Sequence, residues 1–147
     1  MDLSELYQDI ILSHNKRPKN EGELNPRTHE AEGFNPLCGD RITVFVKKAG
    51  ETIEEIQFIG EGCAISRASA SIMTGALKGL TEEAFQAKMD EVVGLLTSKE
   101  DPEAALDEWG DLAALVGVRR FPARIKCATL GWHTLQNALK GEQKFEA

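Results

Sequence analysis

The stretch that decides the fold is Arg41-Ile42-Thr43-Val44-Phe45-Val46-Lys47, followed after Gly50 by Ile53, Ile56 and Phe58, and then by Gly60-Glu61-Gly62-Cys63-Ala64-Ile65-Ser66. Over 41–47 apolar and polar side chains alternate through Ile42, Val44 and Val46, the period of a strand with one buried face. Gly50 marks a turn, and the next apolar group supplies a partner strand. After Gly62 the period lengthens. Ile65, Ser69, Ile72, Met73, Ala76 and Leu80 share a helical face, with Gly79 near the end of that helix. A hairpin feeding a helix is the nucleus of the fold. The residues before it, Ala31 to Phe34, supply a third strand.

Outward from this nucleus the remaining segments read as helices. Leu3, Leu6, Tyr7, Ile10 and Ile11 give residues 3–14 an amphipathic stripe, and Pro18, Gly22 and Pro26 make 15–28 a loop. Thr81-Glu82-Glu83 caps a helix carrying Phe85, Met89, Val92, Val93 and Leu96. Asp101-Pro102 opens another, and Pro122 opens the last, with Ile125, Leu130, Leu135 and Leu139. A helix, a small antiparallel sheet and a run of helices make an α+β arrangement. A length of 147 residues fits one domain spanning 1–147.

Composition narrows the function classes. The net charge of −7 argues against nucleic acid, whose affinity is drawn from Lys and Arg. No apolar run reaches the roughly 20 residues of a membrane helix. The start, Met1-Asp2-Leu3-Ser4-Glu5, has no basic region followed by an apolar one, which points to the cytoplasm. Charge is unevenly spread: residues 81–111 hold ten acidic and two basic side chains, whereas 112–141 hold five basic and no acidic ones. The acidic run reads as a solvated helical face. The three histidines add little: His14 and His29 read as exposed polar residues, and His133 lies about 240° round a helix from Cys127. Trp109 and Trp132 read as core or interface anchors.

Three cysteines are too few and too odd in number for a disulfide framework. Cys38 lies in Asn35-Pro36-Leu37-Cys38-Gly39-Asp40, where alternation along an extended chain would put its thiol on the same side as Asp40. Cys63 sits at the mouth of a helix, where unpaired N–H groups favour a thiolate. Cys127 follows Arg124 and Lys126, whose charge favours ionisation as well. Buried inert thiols, metal ligands and nucleophiles all remain open at this point. Three thiolates with Asp40 make a tetrahedral set suited to zinc, or a site suited to iron and sulfide. The separations, 25 and 64 residues, match no compact zinc finger.

Together, Asn-Pro-Leu-Cys-Gly-Asp at 35–40, Gly-Cys-Ala-Ile-Ser-Arg-Ala-Ser-Ala-Ser at 62–71, Arg-Ile-Lys-Cys-Ala-Thr-Leu-Gly-Trp at 124–132 and Leu-Tyr-Gln-Asp-Ile-Ile-Leu-Ser-His at 6–14 resemble the IscU/SufU-like iron–sulfur cluster assembly proteins. The resemblance covers nearly the whole chain in order. It implies a three-stranded antiparallel sheet packed against several helices, with Cys38, Asp40, Cys63 and Cys127 converging. It leans to the SufU-type branch. The His that precedes the third cysteine in the IscU branch is Lys126 here, and that branch's Leu-Pro-Pro-Val-Lys chaperone motif is replaced by Arg120-Phe121-Pro122-Ala123-Arg124. The segment between the second and third cysteines is also longer.

The SufU pattern implies Zn2+ held by Cys38, Asp40, Cys63 and Cys127. It implies a sulfurtransferase role, in which sulfur comes from the persulfide of a SufS-like pyridoxal-phosphate cysteine desulfurase. Cys38, on a Gly-flanked loop, is the expected acceptor, with Arg124 stabilising the anionic sulfur. Two alternatives follow from the same residues. One is a scaffold that builds a transient [2Fe-2S] cluster on Cys38, Cys63 and Cys127 and passes it to apo iron–sulfur proteins. The other is a non-catalytic structural zinc module.

Overall fold

The computed structural model describes residues 3–97 and 110–147. The chain runs α1 (Leu3–Lys16), β1 (His29–Asn35), β2 (Asp40–Ala49), β3 (Thr52–Glu61), α2 (Ala64–Leu77), α3 (Glu82–Thr97), a 3₁₀ helix (Gly110–Arg120), α4 (Pro122–Leu139) and β4 (Lys144–Glu146). The α+β reading holds. The expected helix at Asp101-Pro102 and the expected anchor Trp109 lie outside the described residues.

The hairpin forms where the alternation placed it. Ile42, Val44 and Val46 of β2 and Ile53, Ile56 and Phe58 of β3 are at most 1% exposed. The two strands are antiparallel with Val44 opposite Phe58, and Gly50 takes a positive φ of 60° at the turn. β1 pairs antiparallel with the other edge of β2, from His29↔Val46 to Asn35↔Asp40. This last pair closes the turn that carries Cys38.

The sheet departs from expectation by one strand. It has four strands in the order β3-β2-β1-β4, and β4 runs parallel to β1, so the sheet is mixed. Three residues of charge-rich sequence, Lys144-Phe145-Glu146, carry no alternation long enough to read as a strand. Tertiary contacts hold them. The Glu32 N–H donates to Gln143 O, the Ala147 N–H donates to Phe34 O, and the Phe145 ring stacks on His133 at 5.0 Å.

The helices cover one face of the sheet. α4 packs on β1 and β2, and α2 packs on α4 and β3. The approach of α4 to β1 is close: a Cβ on Gly33 would collide with Thr134 Oγ1 and meet Leu130 Cδ1 at 3.1 Å. Trp132 is fully buried and donates through Nε1 to Ser69 Oγ, which makes it a core anchor. Side chains such as Leu130, Leu135, Met73 and Leu77 each contribute roughly 1.5–3 kcal/mol by leaving water.

α2 is more deeply set than a one-sided amphipathic helix. Ala76, assigned to its apolar face, is exposed, while Ser69 of that face and also Leu77, Ser66, Ser71 and Thr74 outside it are buried. The helix ends at Leu77, so Leu80 lies beyond it, and Gly79 turns the chain at φ 87°. α3 begins as its cap predicted, with Thr81 Oγ1 accepting the Ala84 N–H. His14 is not exposed. It is 7% exposed at the end of α1, bonded through Nδ1 to Ser71 Oγ at 2.7 Å and through Nε2 to Asp111 Oδ2 at 2.8 Å. These bonds tie α1 to α2 and to the 3₁₀ helix. Among the described residues no helix is long and apolar enough to cross a membrane.

Candidate metal centre

Three loop-to-element junctions meet at one end of the sheet. Residues 36–39 turn the chain from β1 to β2, with the Gly39 N–H donating to Asn35 O at 2.8 Å and Gly39 at φ 75°. Cys38 stands exposed on this turn, and Asp40, the first residue of β2, is fully buried. The two meet because the turn folds back, not because an extended chain alternates. Cys127 comes from the second turn of α4 and is fully buried. Its Sγ lies 3.4 Å from Cys38 Sγ. One donor atom from each of Cys38, Asp40 and Cys127 lies within 4.8 Å of the others.

Cys63 stands beside this triplet, outside the 4.8 Å set. It is the N-cap of α2, and its Sγ accepts the Ser66 N–H at 3.5 Å, as oxygen does in ordinary caps. Its own N–H donates to Asp40 Oδ1 at 2.8 Å. Gly62 permits that approach. A Cβ there would run into Asp40 Oδ1 and sit 3.0 Å from the Asp40 Cα, and its φ of 152° favours glycine. Ser66 Oγ, buried in the first turn of α2, has no hydrogen-bond partner among the described residues.

The electrostatics divide the thiols. Burial, with hydrogen bonding to Asp40 and to Cys38, pushes the Cys127 thiol well above its usual pKa. In the metal-free protein burial therefore opposes the ionisation that the neighbouring positive charge favours. The positive charge is nonetheless in place. The exposed Arg124 guanidinium is held more firmly protonated by Cys63 first, then by Cys127 and more weakly by Cys38. One cation thus lies within electrostatic reach of all three sulfurs. His133 packs on Phe145 and is pushed down by burial, away from this cluster.

One residue of the site went unread in the sequence. Asn35, fully buried at the end of β1, donates through Nδ2 to Asp40 Oδ2 at 3.3 Å and to Cys127 Sγ at 3.6 Å, while its Oδ1 accepts the Leu37 N–H at 3.2 Å. An Asn before Pro reads as turn chemistry, which uses only the oxygen. The strand register, five residues from Asp40, was the signal available.

The donor chemistry suits a zinc ion. Two soft sulfurs and a hard carboxylate match its mixed preference, and Zn–S bonds of about 2.3 Å imply a tetrahedral S···S edge of about 3.8 Å. The observed 3.4 Å contact needs only a small expansion. Between α1, the start of α2 and the 3₁₀ helix, a groove of about 640 Å³ is lined by Ile11, Leu12, Ile65, Val118 and Phe121 among others. Leu37, Leu12 and Phe121 are 65%, 59% and 60% exposed.

Comparison with known proteins gives the same picture. The family model for the NifU-like N terminal domain matches residues 6–141. The chain is 42% identical over 142 residues to the zinc-dependent sulfurtransferase SufU of Bacillus subtilis, covering 97% of this chain and 95% of the relative. It is 41% identical over 138 residues to the iron–sulfur cluster assembly scaffold protein IscU of Streptococcus pyogenes, covering 94% and 85%. A crystal structure described as a SUF-system cluster assembly scaffold protein, from Fervidobacterium islandicum, superimposes with a TM-score of 0.81 at 31% identity, covering 94% and 99%. With its thiols gathered at the end of such a fold, the chain belongs to the NifU-like N-terminal domain family, the IscU/SufU group of iron–sulfur cluster assembly scaffolds and sulfurtransferases.

Proposed function

We propose that the protein is a zinc-dependent sulfur acceptor in iron–sulfur cluster assembly, serving a SufS-like pyridoxal-phosphate cysteine desulfurase in the cytoplasm. The observation that carries this reading is the pairing of an exposed sulfur with a buried one. Cys38 is presented to solvent on a turn, 3.4 Å from the buried Cys127 and in the field of Arg124. Zinc would be held by Cys38, Asp40, Cys127 and, as the fourth donor, Cys63. Once bound, it would keep the thiols deprotonated at neutral pH.

The chain's own residues do the rest. The Cys38 thiolate attacks the outer sulfur of the donor's persulfide. A new S–S bond forms on Cys38, the donor's S–S bond breaks, and the donor cysteine leaves as a thiolate. Charge and electrons balance without an added oxidant. Arg124 offsets the negative charge on the arriving sulfur, and exposed Leu37, next to Cys38 on the turn, offers an apolar contact for the donor protein. Cys63 and Cys127, fixed on helices, stay in place while Cys38 moves on its turn.

The test is mass spectrometry after mixing with desulfurase and cysteine. A persulfide on Cys38 and stimulated turnover are expected, and both should be lost in Cys38→Ser. Unchanged stimulation in that variant defeats the acceptor role. A scaffold role is the second reading, favoured by the 41% identity to a relative named as a scaffold. There the [2Fe-2S] cluster is cargo on the same residues, and reconstitution should yield cluster absorbance followed by handover to an apo-protein.

A further inference from the structure

We infer that Asn35 is a positioning residue of this centre, a single side chain that sets Asp40, Cys127 and the Cys38 turn relative to one another. The inference rests on the metal-site reading above. Asn35 has a single carboxamide, and both ends of it are committed. The oxygen end accepts the Leu37 N–H at 3.2 Å, and the Asn35 backbone O accepts the Gly39 N–H at 2.8 Å. These two bonds shape the turn on both sides of Cys38. The nitrogen end spans 92 residues of sequence to reach Cys127 Sγ and also meets Asp40 Oδ2. With no solvent exposure, no water competes for these bonds.

The amide orientation is dictated by its neighbours. A backbone N–H requires the oxygen at one end, and a carboxylate requires the NH2 at the other. A neutral double donor suits a ligand set whose ionised members outweigh a divalent cation in charge. It directs each acceptor's remaining lone pairs and spreads its charge without adding any. The two carboxylate oxygens of Asp40 are thereby fixed from opposite sides, Oδ2 by Asn35 and Oδ1 by the Cys63 N–H. Asp40 arrives pre-aimed, and Cys127 is held at the same anchor.

The two ends can be separated by substitution. Asn35→Asp keeps the size and the oxygen facing Leu37 but turns the donor end into an acceptor. Asn35→Ser removes both reaches with a smaller polar group that avoids burying a new charge. The readout is zinc itself, by competition with a chromophoric chelator, together with the d–d bands of the cobalt(II)-loaded protein. We expect zinc affinity to fall about 10–100-fold in both variants and the tetrahedral cobalt bands to weaken, with circular dichroism of the metal-free protein reporting folding. Because Asn35 acts through Asp40 and Cys127, Asn35→Ser should add little in an Asp40→Ala background. Parent-like affinity and cobalt bands in a folded Asn35→Ser variant overturn the inference, as does full additivity with Asp40→Ala. If the unaltered protein fails to bind zinc or cobalt, it is the metal-site reading that fails instead.

Discussion

Helix α2 carries two buried polar clusters, and they are built on opposite plans. The one along its middle is closed. Ser69 Oγ donates to Ala128 O and accepts from Trp132, while Ser71 Oγ takes the Lys19 N–H and is bonded to His14, which reaches Asp111 in turn. An ionised Asp111 can only accept, so the His14 Nε2–H donates to it, while Ser71 Oγ partners His14 Nδ1 at 2.7 Å. Every group is used. The cluster at the N-terminus leaves Ser66 Oγ unpartnered among the described residues, brings two sulfurs to 3.4 Å and turns one of them to solvent. Buried polar groups are normally paired, and departures gather where function resides. A Ser–His–Asp line with a fully buried serine is scaffolding, whereas the incompletely paired cluster is the one with chemistry to do.

The contrast breaks first at Asp40. Replacing it by Ala removes a donor atom from the triplet and orphans the Cys63 N–H together. Zinc affinity should drop by more than the about 10–100-fold typical of a supporting residue, and the metal-free protein should lose about 1–3 kcal/mol. Chelator competition and denaturant unfolding measure the two. An Asp40→Ala protein that binds zinc like its parent would move the centre elsewhere.

The pH dependence of binding comes next. The Cys127 thiol is raised by burial, so it stays protonated through the neutral range in the metal-free form. Zinc takes a thiolate, so binding must expel that proton. Apparent affinity should therefore climb with pH, by about tenfold per pH unit for each proton displaced. Titration in weak buffer with an indicator counts the protons. The closed cluster should contribute none.

The third prediction attacks the closed cluster. His14→Ala leaves Ser71 and Asp111 without their shared partner and removes packing between α1 and α2. A loss of about 2–4 kcal/mol is expected, a fall in Tm of several degrees at this size, with zinc affinity of the folded protein unchanged. Equal damage to zinc binding would mean the clusters are coupled through α2.

The same contrast explains what could be read in advance. The β2–β3 hairpin, α2, the Thr81 cap and the Pro122 start were legible because periodicity and capping are local. The fourth strand was not, since Lys144-Phe145-Glu146 pairs with β1 only after α4 has returned the chain there. His14 escaped for a related reason: its partners lie 57 and 97 residues away, and at the end of an amphipathic helix a histidine looks solvated. In the site, Cys38 and Asp40 were visible as a motif and Arg124 as local charge. Asn35 was hidden because its nitrogen acts across the fold, on Cys127. The effect of burial on Cys127 was hidden because neighbouring charge is visible in sequence and desolvation is not.

The smallest effect separates the clusters at the level of single hydroxyls. Ser66 and Ser69 are three residues apart on one helix and both are buried. Ser69→Ala deletes a partner of both Ala128 O and Trp132, so it should cost about 1–3 kcal/mol, the usual penalty for leaving buried groups unpaired. Ser66→Ala removes a hydroxyl that has no partner among the described residues, and alanine is the better helix former. That change should leave the metal-free protein unaffected or raise its stability by a few tenths of a kcal/mol, read as an unchanged or slightly higher midpoint in urea. If Ser66→Ala proves as damaging as Ser69→Ala, the hydroxyl has an internal partner after all. The N-terminal cluster would then have its hydroxyls as fully paired as its neighbour, and the contrast between the two would rest on the sulfurs and Asp40 alone.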